Sequence, residues 1–474
     1  MKKVVLPFLL SAPLFSSEVA NSFTEIFEKG KGSGEWRTFY VTRDRHGSYG
    51  DKQNDTSGLA TGGHLKFETA PFYGLNLGFA LYSTNALINP KTGDKNIDPS
   101  LYGDDKDGYS ILGEAYLQYG SPTGNLYKFG RQKLNTPLAG SDDARMLPNL
   151  FEAYLFQTKH VPDSTLTLAH VTKFAAGSFS NIYWDLSGNV GANGITGKGF
   201  MVLSSGYGLN NDSGKFMNMG HYAVNQDTDG VSVFGLENKS IPNTTIKLWN
   251  YHAYDILNAT YGQIDHSVKL GDDLSAFISG QMIMESSIGD EIAGTIDSQY
   301  YAGKVGLKSK RFVAYGAYSA VPTKNERKAD GSIDNIGAII TPWGGIPAYT
   351  QGMVTRHQFF ADTTAMKLAG TFKFKEDFDL PLSLTGYYIV FDTNDDDNFH
   401  QIGGGQHKTN WKTKEAGFDA IYKPSKNVMY RLRYNSPRDF VFVTSDNGTP
   451  DDKSDDKAET IHWDELRFII SYKF

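Results

Sequence analysis

Arginine residues near both ends of the chain have the spacing of neighbours on one face of a strand. The set comprises Arg37 and Arg43 near the N-terminus, and Arg431, Arg433 and Arg467 near the C-terminus. Because successive residues of a strand point to opposite faces, an even spacing places side chains on the same face. A guanidinium group stays charged and presents paired donors that fit a carboxylate. These arginines are therefore candidates for binding anions or carboxylates.

The C-terminal segment indicates the kind of element that carries such residues. Its apolar positions alternate strictly with mostly polar ones: Leu466, Phe468, Ile470, Tyr472 and Phe474. This alternation predicts a strand with one apolar face and one wet face. A chain that ends on Phe, with aromatic residues two and six positions upstream, is typical of outer-membrane β-barrels.

Eighteen segments have the length or alternation expected of strands in such a barrel. They are 36–42, 58–69, 75–83, 111–119, 126–131, 151–158, 165–172, 231–236, 245–251, 260–270, 274–284, 300–308, 312–320, 365–374, 382–391, 414–423, 428–434 and 465–474. Connections after even-numbered segments are short, and those after odd-numbered segments are mostly long. The predicted fold is all-β: a transmembrane antiparallel β-barrel of about 18 strands, with short periplasmic turns and long extracellular loops.

Closure of the barrel pairs its first strand with its last, so the five arginines fall on three adjacent strands. About eighteen strands enclose more space than side chains can fill, so an aqueous passage is expected. A row of arginines along that passage would attract anions and pass them between weak sites. Other side chains that the alternation directs to the lumen are Lys66, Glu68, Glu114, Lys304 and Lys367.

The same arginines could instead have a purely structural role. Barrel interiors are charged, and Glu415, Asp419 and Glu465 are available there as ion-pair partners. The sequence leaves both interpretations open.

The ends and the composition of the chain bear on its compartment. Lys2 and Lys3 followed by an apolar stretch over 4–15 predict a signal peptide at 1–17. We then expect a periplasmic N-terminal segment at 18–33 and the porin barrel at 34–474, located in the outer membrane of a bacterium. The chain has no cysteine, which excludes disulfides, thiol catalysis and Cys-ligated metals. Its net charge of −7 gives no reason to expect nucleic acid as a partner.

Several motifs resemble those of the OprD family, outer-membrane carboxylate channels that act as substrate-specific porins. The motifs are Leu-Gly-Glu-Ala-Tyr-Leu-Gln-Tyr at 112–119, Lys-Phe-Gly-Arg-Gln at 128–132, Asn-Thr-Pro at 135–137, the block at 141–153 that ends Phe-Glu-Ala, and Pro-Trp-Gly-Gly at 342–345. The resemblance covers essentially the whole mature chain. It implies eighteen strands and selective passive diffusion of small solutes, carboxylates or other anions, along an arginine-lined pore.

The resemblance also implies a constriction formed by inward loops after the fifth and thirteenth strands. By position these loops are 132–150 and 321–364, and the resemblance marks four residues as candidates for the constriction: Arg131, Asp142, Asp143 and Arg145. The family's arginine ladder carries over to Arg431, Arg433, Arg467 and Arg37, and to Arg43 or Arg45. The very long loop 173–230 departs from the family pattern, so it puts substrate identity in doubt.

Other functions remain as alternatives or are disfavoured. The long extracellular loops are compatible with an outer-membrane adhesin or receptor. An enzyme is not expected, because His64, His170, His252 and His266 have no serine partner at a recognisable spacing. No cofactor is expected, although acidic runs at 104–107, 395–397 and 451–456 could bind Ca²⁺. Expected partners are outer-membrane lipid, lipopolysaccharide and small anionic solutes, and the chain could be a monomer or a trimer.

Overall fold

Long antiparallel strands pair edge to edge into one closed sheet. The computed structural model describes residues 18–47, 55–87, 96–103, 106–180, 203–204, 206–210, 212–329, 333–394, 411–445 and 457–474. Within these ranges, eighteen strands form the barrel wall. They are β1 (Lys31–His46), β2 (Thr56–Glu68), β3 (Leu75–Ala86), β4 (Tyr109–Gly120), β5 (Leu126–Gln132), β6 (Leu150–Thr158), β7 (Ser164–Ala175), β8 (Val231–Asn238), β9 (Thr244–Ala253), β10 (Leu257–Lys269), β11 (Ser275–Ser287), β12 (Asp297–Lys308), β13 (Phe312–Val321), β14 (Thr363–Lys373), β15 (Leu382–Thr393), β16 (Trp411–Tyr422), β17 (Val428–Arg438) and β18 (Lys457–Lys473).

Each strand pairs with its neighbours in the chain, and β1 pairs with β18 to close the barrel. Closure removes the free sheet edges that would otherwise leave backbone groups unpaired in lipid. Shorter elements lie in the connections: α1 (Glu25–Glu28), α2 (Met219–Val224), α3 (Lys375–Phe378), a strand pair formed by Glu326–Arg327 and Ile333–Asn335, and short strands at Met217–Asn218 and Phe440–Ser445. None of the helices in the described part of the chain is long and apolar enough to cross a membrane.

Side-chain alternation divides each strand between the two faces of the wall. In β18, Leu466, Phe468 and Tyr472 are exposed on the outside, whereas Glu465 and Arg467 are buried on the inside. The outward residues form the apolar, aromatic surface that lipid requires. The pattern therefore sends the arginines inward, as the sequence predicts.

The side chains that line the interior differ from one side of the barrel to the other. Near β6 to β11 the lumen is filled by an apolar cluster that includes Phe151, Trp249, Tyr251 and Ile283 from the wall and Trp343 from the connection after β13. Around β16, β17, β18 and β1 many interior side chains are charged, among them Glu415, Glu465 and Arg467. A second apolar cluster, which includes Phe39 and Val41 of β1 and Ile469 of β18, packs on that side against the β3–β4 and β5–β6 connections.

The predicted eighteen-stranded barrel is confirmed, and the differences lie at strand ends. β1 begins at Lys31 rather than at 36, and β18 begins at Lys457 rather than at 465. Residues ahead of β1 pack through Ala20 and Ile26 on Ala70 in the turn after β2. The signal peptide predicted at 1–17 lies outside the described residues, and the division into 18–33 and 34–474 stays a prediction.

Candidate functional site: the arginine seam and the inward loops

The predicted arginines meet where the barrel closes. Arg433 of β17 lies directly across from Arg467 of β18, and Arg467 lies across from Val41 of β1. Arg37 and Arg43 share the inward face of β1 with Val41. We call the inward face of β17, β18 and β1 the arginine seam. Its existence follows from alternation within strands and from pairing of the first strand with the last.

One carboxylate serves two arginines at the periplasmic part of the seam. Asp419 of β16 accepts hydrogen bonds from Arg431 Nε at 2.8 Å and from Arg433 Nη2 at 2.9 Å. The two arginine side chains remain 26% and 17% exposed. This pair is therefore only partly compensated, and it keeps donors in contact with the lumen.

A second carboxylate, Glu465 of β18, binds three arginines inside the wall. Its Oε2 accepts from Arg43 Nε at 3.0 Å and Nη2 at 2.8 Å, and its Oε1 accepts from Arg145 Nη2 at 2.8 Å. Arg467 Nε donates to the same Oε1. None of these four side chains is more than 5% exposed. We call them the Glu465 cluster; a solute in the lumen cannot reach its charges directly.

The long β3–β4 connection completes the cluster from the extracellular side. Asp98 lies 3.5 Å from Arg43 Nη1, and Arg145 Nε donates to Ser100 Oγ at 2.9 Å. Burial would raise the pKa of Asp98, but Arg43 and Arg145 hold it below its ordinary value. Burial, reinforced by Arg467, lowers the pKa of Arg145 to about 10, so Arg145 remains charged at neutral pH. Every charge in this enclosed group has a partner of opposite sign, as buried charges require.

Arg37 connects the seam to the β5–β6 loop. Its Nη1 and Nη2 donate to the two carboxylate oxygens of Asp143, each at 2.7 Å, and Nη1 also donates to the Arg145 carbonyl at 2.6 Å. Glu35 accepts from Arg37 Nη2 at 2.8 Å. Such a two-pronged pair fixes orientation as well as distance. The loop that carries Asp143 and Arg145 is thus held across the lumen against β1 and β18.

The β5–β6 loop is joined to the β13–β14 connection. Gly140 donates its backbone N–H to the Trp343 carbonyl at 3.0 Å, and Asn149 Nδ2 donates to the Gly140 carbonyl at 3.1 Å. Gly344 has φ of 79°, a conformation that suits glycine, and its α-carbon faces Asn149. Asp142 lies 3.4 Å from Arg356 of the second loop. The two loops therefore form one inward assembly.

Carboxylates of the wall hold the second loop by its backbone. Glu415 of β16 accepts from the N–H groups of Met353 at 2.8 Å and Thr355 at 2.7 Å. Glu285 of β11 accepts from the N–H of Ile340 at 2.8 Å. These acids bind backbone donors, so no pattern of charged residues in the sequence could have revealed their role.

The described part of the β7–β8 connection packs on the same assembly. Trp343 Nε1 donates to the Met219 carbonyl at 3.2 Å, and Arg356 Nη1 donates to Tyr207 Oη at 3.2 Å. Tyr207 and Tyr222 of this connection are buried. The described part of this long connection thus contributes to the interior.

Comparison with known proteins identifies the family. The family model described as outer membrane porin, OprD family, matches residues 24–326. The chain belongs to the OprD family. It is accordingly an outer-membrane porin, a channel family rather than an enzyme family. No curated protein sequence matches the chain.

Solved structures of OprD-type channels have the same fold. Pseudomonas aeruginosa OccK1 (OpdK) matches with a TM-score of 0.67 and 16% sequence identity, over 95% of this chain and 99% of that one. Pseudomonas aeruginosa OccK2 (OpdF), in complex with glucuronate, matches with a TM-score of 0.66 and 16% sequence identity, again over 95% of this chain and 99% of that one. Acinetobacter baumannii OccAB3 matches with a TM-score of 0.67 and 16% sequence identity, over 94% of this chain and 100% of that one.

In this OprD-family porin, Arg131 lies apart from the other candidates for the constriction. It is a residue of β5 and shares a face with exposed Phe129, whereas Lys128 and Gln132 point inward. Its Nε lies 3.6 Å from Glu152, and its guanidinium covers the ring of Phe216. β5 extends through residue 132, so alternation directs Arg131 to the outer face of the wall. The other three candidates, Asp142, Asp143 and Arg145, are in the inward loop.

The charges in the contacts described above nearly balance. Six guanidinium groups, Arg37, Arg43, Arg145, Arg431, Arg433 and Arg467, stand against five carboxylates, Glu35, Asp98, Asp143, Asp419 and Glu465, an excess of 6 − 5 = 1 positive charge. Arg45, which also lies on the inward face of β1, is outside this count. The contacts therefore agree in part with each role that the sequence left open for these arginines, anion binding and structural ion pairing. The Glu465 cluster is structural in its contacts, while Arg431 and Arg433 combine pairing with exposure.

Metal binding has no candidate inside the described ranges. There, no group of three or more His, Asp or Glu side chains is placed to hold a metal ion. The acidic residues proposed for Ca²⁺ at 104–105, 395–397 and 451–456 lie outside the described residues. That prediction stays a prediction.

Proposed function

We propose that this porin conducts small anionic solutes, carboxylates among them, by passive diffusion past Arg431, Arg433 and Arg37. The observation that carries the proposal is the sharing of Asp419 by two partly exposed arginines. One carboxylate compensates only one of the two positive charges. The remaining charge faces the lumen and can attract an anion.

Partial compensation also suits release. A solute carboxylate would bind the remaining donors of guanidinium groups whose charge Asp419 already partly compensates, so it would be held less tightly than by an unpaired arginine. Conduction needs sites that are strong enough to be entered and weak enough to be left. Arg433 and Arg431, in this order along β17 toward the periplasm, would provide two successive sites of this kind, and the fully paired Arg37 lies beyond them on β1.

Two related structures support a carboxylate as the solute to test. OccK2 (OpdF) is described in complex with glucuronate, and OpdK is described with vanillate. Both molecules carry a carboxylate. The fold is shared, although the identity of 16% does not transfer a substrate from those channels to this one.

Reversal-potential measurements on purified protein in planar bilayers test the proposal. In a KCl gradient the native channel should prefer Cl⁻, and Arg431→Glu with Arg433→Glu should shift the preference toward K⁺. Arg311→Glu is a matched control, because Arg311 is 59% exposed and forms its ion pair with Asp377 at a periplasmic turn. An unchanged reversal potential in the double variant would mean that these arginines only support the wall.

The same experiment separates a channel from an adhesin or receptor. A protein that migrates as a folded, heat-modifiable barrel and inserts into the bilayer should conduct ions. If such a preparation gave no conductance, diffusion would be excluded as its function, and the long extracellular loops would become the functional surface.

A further inference from the structure

Two lumenal lysines lie on a part of the wall away from the arginine seam. Lys304 is on β12 and Lys367 is on β14, five and three strands from β17. Their neighbours Val305 and Met366 are exposed on the outer face, so alternation turns both lysines inward.

The lysines are surrounded by aromatic rings instead of acids. Lys304 Nζ lies 4.2 Å from the ring centre of Tyr349, 5.7 Å from that of Phe277 and 5.8 Å from that of Tyr315. Lys367 Nζ lies 5.0 Å from the ring centre of Tyr387. Ring faces attract an ammonium group and hold it in place without neutralising its charge.

The two lysines differ from the arginines of the seam mainly in their distance from carboxylates. Among the described residues, neither lysine has a carboxylate oxygen within 4 Å, and Lys367 Nζ donates to the Gln351 carbonyl at 2.7 Å. The acids that influence them are Asp265 and Glu415. Asp265 accepts a hydrogen bond from Gln263, and Glu415 is engaged by the backbone of the β13–β14 connection. The ammonium charges therefore remain available to an anion.

The two lysines lie two strands apart on the inward face of the wall. Lys304 lies across from Ala317 of β13, and Ala317 lies across from Lys367. With neighbouring strands about 4.8 Å apart, the two lysine backbones are separated by about 10 Å. Within the wall, the methyl group of Ala317 lies between them, and Thr350 of the β13–β14 connection packs next to it on Ser319. This distance accommodates a small ring that carries one carboxylate.

Gly306 makes the aromatic part of this site possible. A Cβ at that position would lie 2.6 Å from Phe277 Cζ and 2.7 Å from Tyr315 Cβ. The absence of a side chain allows both rings to approach the wall next to Lys304. Tyr349 reaches the same place from the β13–β14 connection, so one of the inward loops contributes to the site.

We propose that Lys304, Lys367 and the rings of Tyr349, Tyr315 and Phe277 form a second solute subsite, which binds a carboxylate that carries a flat apolar body. The carboxylate contacts the ammonium groups, and the body lies against the rings. This subsite rests on the proposed anion conduction and adds a preference within it. Arg431 and Arg433 attract anions of any shape, whereas this subsite retains those with an aromatic body.

Benzoate and its uncharged analogue benzamide are suitable probes. In bilayer recordings of the full chain, benzoate should reduce the single-channel Cl⁻ current at concentrations where benzamide has no effect. Lys304→Gln with Lys367→Gln should raise the half-blocking benzoate concentration about tenfold, because charge-assisted contacts are lost. Lys310→Gln, at an exposed turn lysine, is the matched control and should leave it unchanged.

A second variant tests the rings without touching the charges. Tyr349→Leu should weaken the block by benzoate and leave the weaker block by acetate as it is. If benzoate blocks the native channel and both variants equally, the subsite is overturned while anion conduction stands. If the Arg431 and Arg433 variants also leave the reversal potential unchanged, the proposed function itself fails.

Discussion

Positive charge is compensated differently at the arginine seam and at the inward face of β12 to β14 around Lys304 and Lys367, which we call the lysine wall. At the seam, Arg37, Arg43, Arg431, Arg433 and Arg467 each have a carboxylate partner, and Glu465 alone serves three arginines. On the lysine wall, Lys304 and Lys367 contact rings and a backbone carbonyl. The number of cations is therefore a poor guide to the charge that a solute meets. What matters is whether the protein has already supplied the counter-charge.

Burial explains why the two regions differ. Arg145 and Arg467 are enclosed, and an enclosed charge without a partner costs several kcal/mol, so acids must accompany them. Lys304 and Lys367 are only half-buried and can keep water on one side. The seam gains a fixed position for an inward loop, and the lysine wall keeps its charge available.

The largest effect should come from Glu465→Gln, which removes the shared counter-charge of three guanidinium groups. We expect a loss of about 3–5 kcal/mol in the free energy of unfolding, as for other buried ion pairs broken on one side. The temperature at which the folded band disappears in heat-modifiability gels, or the thermal midpoint by circular dichroism in detergent, measures it.

Two controls sharpen this prediction. Asp392 pairs with exposed Lys412 at 3.0 Å, so Asp392→Asn should cost less than about 1 kcal/mol. Lys304→Gln should also leave the midpoint nearly unchanged, because Lys304 has no ion pair in the described part of the chain. Equal losses in all three variants would remove the distinction between the seam and the lysine wall.

A smaller effect is expected where the inward loops join. Gly344→Val places a branched side chain against Asn149, with its Cβ 2.6 Å from the Gly140 carbonyl oxygen. The positive φ at this position destabilises a valine by about 1–3 kcal/mol. The loops should separate, and single-channel conductance should rise. Gly303→Val is the control, because no atom lies within 4 Å of its Cβ position. A conductance equal to that of the native channel would show that this joint does not limit the passage.

The smallest effect on stability should follow from Asp419→Asn. Its effect on ion selectivity should be opposite to that of Arg431→Glu with Arg433→Glu. Asparagine keeps an oxygen acceptor for Arg431 and Arg433, so the loss in the free energy of unfolding should be about 1 kcal/mol. The two arginines then lose their counter-charge, and the reversal potential should move toward stronger anion preference. A shift toward cations would contradict the charge accounting at the seam.

The sequence predicted what depends on alternation. Most of the eighteen strands, the inward direction of Lys304 and Lys367, and the placing of Arg433 and Arg467 on neighbouring strands follow from period-two patterns and from the chain order of the strands. Alternation is a local property, so it can be recognised in a single sequence without homologues. The count of strands and the membrane location follow from the same signal.

The contacts of the loops could not be predicted in this way. Nothing periodic connects Ser100 or Arg145 with Glu465, which is 320 residues away from Arg145 in the chain. Arg131 was expected near the constriction because of its motif, yet alternation places it on the same face of β5 as the exposed Phe129. The pairing of carboxylates with loop N–H groups leaves no compositional trace. These features depend on tertiary contacts between distant segments.

The position of Glu465 in the final strand has a consequence for the order of assembly. Arg145 belongs to a loop made early in the chain, while its acceptor is among the last residues to be synthesised. Until β18 pairs with β1, Arg43 and Arg145 have no Glu465 to bind. The inward loop can therefore take its final position only when the wall is closed. The passage would be narrowed in the last step of biogenesis, by the same strand that completes the barrel.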